Sequence, residues 1–435
     1  MVPTRMSFSL SEATPVRRAH WPALLAAAAL ALTRPQILRA EDRVDYRYED
    51  YSEDNGRIQI QTHAAYVEAE LTSRVAVKGQ FVYDAISGAT PTGGPPAPGD
   101  PQVPTVVLED VRKAGSLEAA ISYGEEPDGK HGRFVTTPQI AYSRESDYES
   151  IGAALNQTIN FNQRNTALNF GIAENWDRAK GFFQSRFQSK DTTDFLVGIR
   201  QILTPRTVLT ANLTLGYARG YLTDPYKGVN FTYSYPISFY DPATVDVNSA
   251  ELRPDSRFRQ VVYTSLQHYV DAIRGAAEAS YRFHHDDWGI WAHTATVQWN
   301  QKLGEKLLIS PLARYHLQSA ADFYAPVFNG TLVDPNGVNA ALQSDGSLLF
   351  EGDAGFPGDG TAFAVPAWPR YYSADYRLSH LETWTVGVAL RWQVHEHVAI
   401  DLAYKRYLMN GLDGVTLSSA YPQANVFTMG IGFQW

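Results

Sequence analysis

His284-His285-Asp286-Asp287 is the densest run of potential ligands in the chain: two imidazoles beside two carboxylates, a donor set suited to a divalent metal. Neighbouring residues on a strand point to opposite faces, so His284 and His285 do not share one ion unless a turn bends them together. The run is therefore expected to be a polar hairpin tip, with no metal site. Joined by Asp84 or Asp147, it also has the residue types of an Asp/His hydrolytic site, but no spacing in the sequence attests that geometry. Ser379-His380 offers a nucleophile and a base, yet the two diverge on a strand. Glu49-Asp50 and Glu53-Asp54 lead into Asn55-Gly56, a tight-turn dipeptide, and read as a solvated acidic rim rather than a calcium site. There is no cysteine, hence no thiolate metal site, disulfide or thiol nucleophile, and no glycine-rich phosphate loop or zinc helix motif. The expectation is a protein with no cofactor and no enzymatic role.

The elements that carry these residues read as strands. From Thr383 to Val394, the residues Trp384, Val386, Val388, Leu390, Trp392 and Val394 alternate with Thr383, Thr385, Gly387, Ala389, Arg391 and Gln393. One face is apolar and the other polar or small, as a lipid-facing row and a lumen-facing row require. Phe81 and Tyr83 against Gln80 and Asp84, Leu213 and Leu215 against Asn212 and Thr214, and Tyr281 and Phe283 against Arg282 and His284 repeat the pattern. Aromatic residues such as Tyr83, Tyr142, Trp176, Trp291, Trp299 and Tyr315 fall towards strand ends, where interfacial girdles would place them.

The links between strands alternate in length. About sixteen strands are expected, by the period-2 criterion. Short links at Thr72-Ser73, Gln163-Arg164, Leu203 to Pro205 and His395-Glu396 alternate with links that include long ones at Ala85 to Ala114, Asp177 to Asp191, Leu222 to Ser256 and Ser319 to Arg377. Thr90 to Pro104 and Asn329 to Gly360 have turn and coil chemistry and are expected to hold no strand. Short turns at one end and long loops at the other are what a bacterial outer-membrane barrel produces. The expected fold is all-β: a transmembrane antiparallel up-and-down β-barrel of about sixteen strands over residues 41–435, preceded by a signal peptide over residues 1–40. That signal rests on Arg17 and Arg18 followed by the apolar run Trp21 to Leu32, too short to span a bilayer as a helix, and on the small residue Ala40. Its removal takes the formal charge from -9 to -13, which argues against nucleic acid as a partner.

On this reading Lys78, Glu118, Glu145, Arg200, Glu278, Arg282, Arg314, Arg391, Asp401 and Lys405 face the lumen, because charge facing lipid is costly. They either solvate a channel or close it through cross-lumen ion pairs. The largest loop is long enough to fold inward and constrict the path. In the last strand Phe427, Met429, Ile431, Phe433 and Trp435 share one face. This face resembles the terminal-strand signal read by the bacterial barrel-assembly machinery, an expected partner during biogenesis, alongside outer-membrane lipid and lipopolysaccharide.

Six stretches carry a further resemblance: Ser87-Gly88-Ala89; Tyr142-Ser143 with Asp147-Tyr148-Glu149-Ser150; Val208 to Leu215 leading into Asp224-Pro225-Tyr226-Lys227; Asp287-Trp288-Gly289-Ile290 with His293-Thr294; Gln318 to Tyr324; and Tyr371 to Leu378. In them the chain resembles the outer-membrane family called domain of unknown function 3570. The resemblance implies a barrel and assigns no activity. Two functions are expected in competition: a channel or transporter for small solutes, or a scaffold whose external loops bind an envelope partner.

Overall fold

A computed structural model describes residues 42–97, 99–124, 132–181, 186–238, 241–331, 339–342, 348–350, 363–364 and 369–435. The expected signal segment and most of residues 332–368 lie outside the described residues. Sixteen antiparallel strands form a closed barrel. They are β1 (Arg43–Glu53), β2 (Gln59–Thr72), β3 (Val75–Ser87), β4 (Asp110–Tyr123), β5 (Phe134–Arg144), β6 (Tyr148–Phe161), β7 (Thr166–Ala179) and β8 (Gln188–Thr204). The second half is β9 (Thr207–Gly220), β10 (Ser256–Val270), β11 (Gly275–Asp286), β12 (Trp291–Leu303), β13 (Leu307–Gln318), β14 (Leu381–His395), β15 (Val398–Gly411) and β16 (Gln423–Gln434). Each strand pairs with its sequence neighbours, and β16 returns to β1 with Val44 opposite Phe433 and Tyr48 opposite Met429. Closure leaves no bare edge, which an apolar sheet of this size could not expose without aggregating.

The alternation read from the sequence sets the two faces. Trp384, Val386, Val388, Leu390, Trp392 and Val394 are all exposed on the outside of β14, as are Leu209, Leu213, Leu215 and Tyr217 on β9. Such a band is unfavourable in water and stabilising against lipid chains. No helix among the described residues is long and apolar enough to cross a membrane, so the crossing is made by strands. Trp176, Trp291 and Tyr142 are likewise exposed on the outer face. Proline interrupts the ladder without shifting its register: around Pro138 the pairing of β4 with β5 skips from Glu118–Gln139 to Ile121–Thr136. Around Pro311, β12 and β13 skip from Gln298–Leu312 to Gln301–Ile309. In each case the missing N–H removes ladder bonds locally while the flanking pairs hold the alignment.

The links divide by length as expected. One end of the barrel carries turns such as 73–74, 205–206 and 396–397; the other carries the links L1 (54–58) to L8 in chain order, among them the longest of the chain. In L1, Asn55 (φ 61) and Gly56 (φ 65) supply the two left-handed positions of a tight hairpin turn.

Three expectations about loops need correction. L2 (88–109) contains a small ladder, Ala89–Pro91 paired with Thr105–Val107, so Thr90 and Pro91 are not coil. L5 (221–255) holds a hairpin of Gly228–Ser238 with Asp241–Ala250, and Phe328–Thr331 of L7 (319–380) joins it in parallel. Further short strands at Asn339–Leu342 and Leu348–Phe350 lie within the stretch expected to be coil. The link expected over Asp177 to Asp191 shrinks to 180–187, because β7 and β8 run on. Lys190 lies 3.1 Å from Asp177, and Arg219 lies 3.5 Å from Asp191. These ion pairs support a ladder where apolar alternation has ended, which is why periodicity missed the extension.

Candidate functional site in the barrel lumen

At the loop end, loops from around the rim meet. The Gly228 N–H of L5 donates to the Thr92 carbonyl of L2 at 2.7 Å, although six of the sixteen strands separate these loops along the wall. Lys227 reinforces the junction: its Nζ donates to Thr90 Oγ1 at 3.0 Å and to the Pro91 carbonyl, with the Tyr376 ring 5.6 Å away. Burial holds its pKa below the usual lysine value. Val103 of L2 donates its N–H to Ser419 of L8 (412–422) at 3.1 Å. The apolar seams follow the same convergence. Val229, Phe231 and Ala374 pack with Phe328 and Tyr372, and Tyr376 and Leu381 pack with Ala420 and Tyr421.

A buried ionic hub fixes this cap. Asp375, 1% exposed, accepts from Arg253 at 2.7 Å and from Arg377 Nε at 2.9 Å. Burial opposes its ionised form, but Arg377 and Arg253 prevail and hold its carboxyl well below the usual range. Arg377 continues to Asp224, and Arg253 Nε lies 2.7 Å from Glu251 Oε1, an ion pair without hydrogen-bond alignment. Removing one partner from a buried pair such as Asp375–Arg253 costs about 3–5 kcal/mol, because the other charge is left uncompensated.

Glu251 behaves oppositely. Burial, partly offset by Arg253, pushes its carboxyl up to about 7, while the Asp224 N–H donates to it at 2.6 Å and Ser373 donates its hydroxyl. A carboxyl raised on folding contributes stability that is fully present below its unfolded value and is lost as pH rises through the folded one. The cap should therefore become more open to limited proteolysis between about pH 4.5 and pH 7, the interval bounded by the ordinary and shifted values. Glu251→Gln should flatten that dependence; an unchanged pH profile in the variant would discount Glu251 as its source.

Beneath the hub lies a cavity of about 430 Å³ whose wall includes Arg282, Arg314, His284 and His316 and whose ceiling includes Asp375 and Arg377. A second cavity of about 400 Å³ shares Arg282 and His284 and extends along β5 to β10. At the boundary, Asp286 is 1% exposed and accepts the Trp288 and Ile290 N–H groups at 3.0 Å each, shaping the turn between β11 and β12. Arg257 Nε donates to the same carboxylate at 2.9 Å and lies 4.4 Å from the Trp288 ring centroid.

The residues singled out by sequence fall as follows. Arg282 and Arg314 meet in the cavity. Register puts Arg200 on the face of Leu196 and Asp194, which line the second cavity, and Glu278 on the face of Arg282. Arg391 lies 3.2 Å from Asp401, its register partner, and Lys78 lies 3.2 Å from Glu68 and 4.0 Å from Glu118. Lys405 stands opposite Gly387 and Val426. Among the described residues, every ion pair of the wall joins the same, adjacent or next-but-one strands; none crosses the lumen.

The catalytic alternatives are not assembled. His284 lies 3.1 Å from Asp286 at the cavity, whereas His285 lies tilted against the Trp291 ring, so the two imidazoles diverge. Asp84 lies 2.6 Å from Arg112 on β4, and Asp147 accepts from Tyr226; among the described residues the carboxylate paired with His284 is Asp286. Ser379, expected on a strand, ends a turn of 3-10 helix, buried against Tyr376 and Tyr421, while His380 is exposed. Of the acidic rim, Glu53 and Asp54 have basic partners, with Arg57 3.0 Å from Glu53 and Arg406 2.8 Å from Asp54, whereas Glu49 accepts from Thr428 and Asp50 from Gln59.

Sequence reasoning missed Glu251, Arg253, Arg257 and the hub as such, since the hub joins L5 to L7 across more than 120 residues and the Arg257–Asp286 pair needs the register of β10 and β11. A signal existed nonetheless: Asp224 to Lys227, Asp287 to Ile290, Gln318 to Tyr324 and Tyr371 to Leu378, four of the stretches that carry the resemblance, converge at the cap.

A closed antiparallel barrel with a lipid-facing apolar band is the architecture of the bacterial outer membrane, and this protein is an outer-membrane barrel. No curated protein matches its sequence. Among solved structures it is similar to CdiB from Acinetobacter baumannii, at 8% identity and TM-score 0.46, covering 90% of this chain and only 60% of that one. It is also similar to the siderophore receptor PirA from Pseudomonas aeruginosa, at 10% identity and TM-score 0.35, covering 91% and 81%. A third is Pseudomonas aeruginosa OccK2 (OpdF) in complex with glucuronate, at 7% identity and TM-score 0.38, covering 91% and 98%. Residues 22–420 match the model described as "Protein of unknown function (DUF3570)", and the chain belongs to that family.

Proposed function

We propose that this protein is a channel or transporter for small solutes across the outer membrane, in which the loop cap restricts the outer mouth. The observation that carries the reading is the arrangement of wall charge. The ion pairs that inward groups make, such as Lys78–Glu68 and Arg391–Asp401, run along the wall and leave adjoining cavities of about 430 and 400 Å³, where cross-lumen pairs would have closed it. A barrel of about sixteen strands is wide enough for an aqueous path unless something fills it. The long loops face outward and the short turns face the periplasm, as the length asymmetry favours. Residues 1–40 are the export signal, and Phe427, Met429, Ile431, Phe433 and Trp435 form the face read during assembly. The scaffold alternative would use the same cap as a partner-binding surface.

Gly93 tests the cap. Its φ is 88°, and a Cβ there would collide with the Gly228 carbonyl oxygen. Gly93→Val should separate L2 from L5 and raise the single-channel conductance in planar bilayers, with more frequent openings than the parent protein. Silence from both proteins would remove the transport reading and favour the scaffold.

A further inference from the structure

We infer that the cavity beneath the cap is a binding site for small oxyanions, molecules presenting a carboxylate or phosphate group. The inference rests on the lumen being a solute path and names the class of solute. Five arginines line this one cavity, in a chain whose formal charge is -9. Three are engaged: Arg253 with Glu251 and Asp375, Arg377 with Asp375 and Asp224, and Arg257 with Asp286. Arg282 and Arg314 are not. Among the described residues neither has a carboxylate within ion-pair distance, and both face the same space.

The register explains their proximity. Arg282 on β11 stands opposite Thr294 on β12, which stands opposite His316 on β13; Arg314 is the next residue of β13 on that face. His316 Nδ1 lies 2.8 Å from Thr294 Oγ1, which fixes the ring in the same wall as the two arginines. Two guanidinium forks lining one cavity suit bidentate pairing with carboxylate or phosphate oxygens, which a lone ammonium does not reproduce. The ceiling adds no uncompensated negative charge, since Asp375 and Asp224 are held by Arg253 and Arg377. The volume accommodates a small polar metabolite.

Calorimetric titration of the full-length protein in detergent with inorganic phosphate, succinate and the dication putrescine tests the inference. Saturable binding of phosphate or succinate, and none of putrescine, is expected. Arg282→Gln with Arg314→Gln should weaken anion binding by roughly 10- to 100-fold, as loss of charge-assisted hydrogen bonds implies. Arg282→Lys with Arg314→Lys, which keeps the charge and loses the fork, should fall between. Absence of saturable anion binding by the parent protein, equal binding of putrescine, or parent-like affinity in the folded glutamine variant overturns the site. Bilayer recordings separate the two levels of the argument. Anion binding without conductance keeps the site and rejects the channel, whereas conductance without anion preference or binding keeps the channel and rejects the site.

Discussion

Deleting Phe433–Trp435 should nearly abolish folded protein in the outer membrane and leave a protease-sensitive form in the periplasm. The backbone of Trp435 exchanges hydrogen bonds with Asp42 at 3.0 and 3.1 Å, and Phe433 stands between Val44 of β1 and Val398 of β15. The three residues therefore hold the turn end of the seam that closes sixteen strands into a ring. Without them β1 and β15 present unpaired N–H and C=O groups at the membrane, each costing several kcal/mol in hydrocarbon. Trp435→Asp keeps the backbone pairing and tests the aromatic face separately. Its effect should be smaller than the deletion if pairing dominates and equal to it if the face is the assembly signal. Heat-modifiable migration of outer-membrane fractions reads both, and normal yield of the deletion mutant would count against closure by β16.

The second large effect concerns the two rows of β14. Val388, 41% exposed on the lipid face, stands between Pro311 and Tyr404 near mid-strand. Val388→Arg should destabilise the barrel by about 2–4 kcal/mol if the site lies at the bilayer midplane. Thr385→Arg, on the lumen row between Arg314 and Tyr407, should cost far less, because water reaches the guanidinium there. Urea unfolding in phospholipid vesicles gives both values. Equal penalties would mean that the faces have no separate solvents.

The barrel is legible in the sequence because its determinants are local. The alternation in Thr383 to Val394 states the face of every residue, and the link lengths state the order of strands. The same period-2 logic assigns His284 and His285 to opposite faces, as their separate contacts with Asp286 and Trp291 bear out. The cap is not legible, for a physical reason: Asp375 is satisfied by Arg253, and Lys227 by Thr90 and Pro91, across sequence distances that no period encodes. Hydrogen bonding of buried polar groups selects these partners after the loops have met. Periodicity also fails at Gln188 to Asp191, where ion pairs rather than apolar residues sustain β8. Arg282 and Arg314 can be assigned to the inner face from sequence, but their shared cavity requires the register of β11 to β13.

The most direct test of a membrane barrel around an aqueous lumen is available because the chain has no cysteine to interfere. Single cysteines placed in turn at each position from Thr383 to Val394, in protein held in lipid vesicles, can be challenged with a charged, membrane-impermeant thiol reagent. Alternation is expected: positions 385, 387, 389, 391 and 393 react, while the buried position 383 and positions 384, 386, 388, 390, 392 and 394 are protected except near the interfaces. Uniform reactivity, uniform protection or the inverse pattern would contradict it.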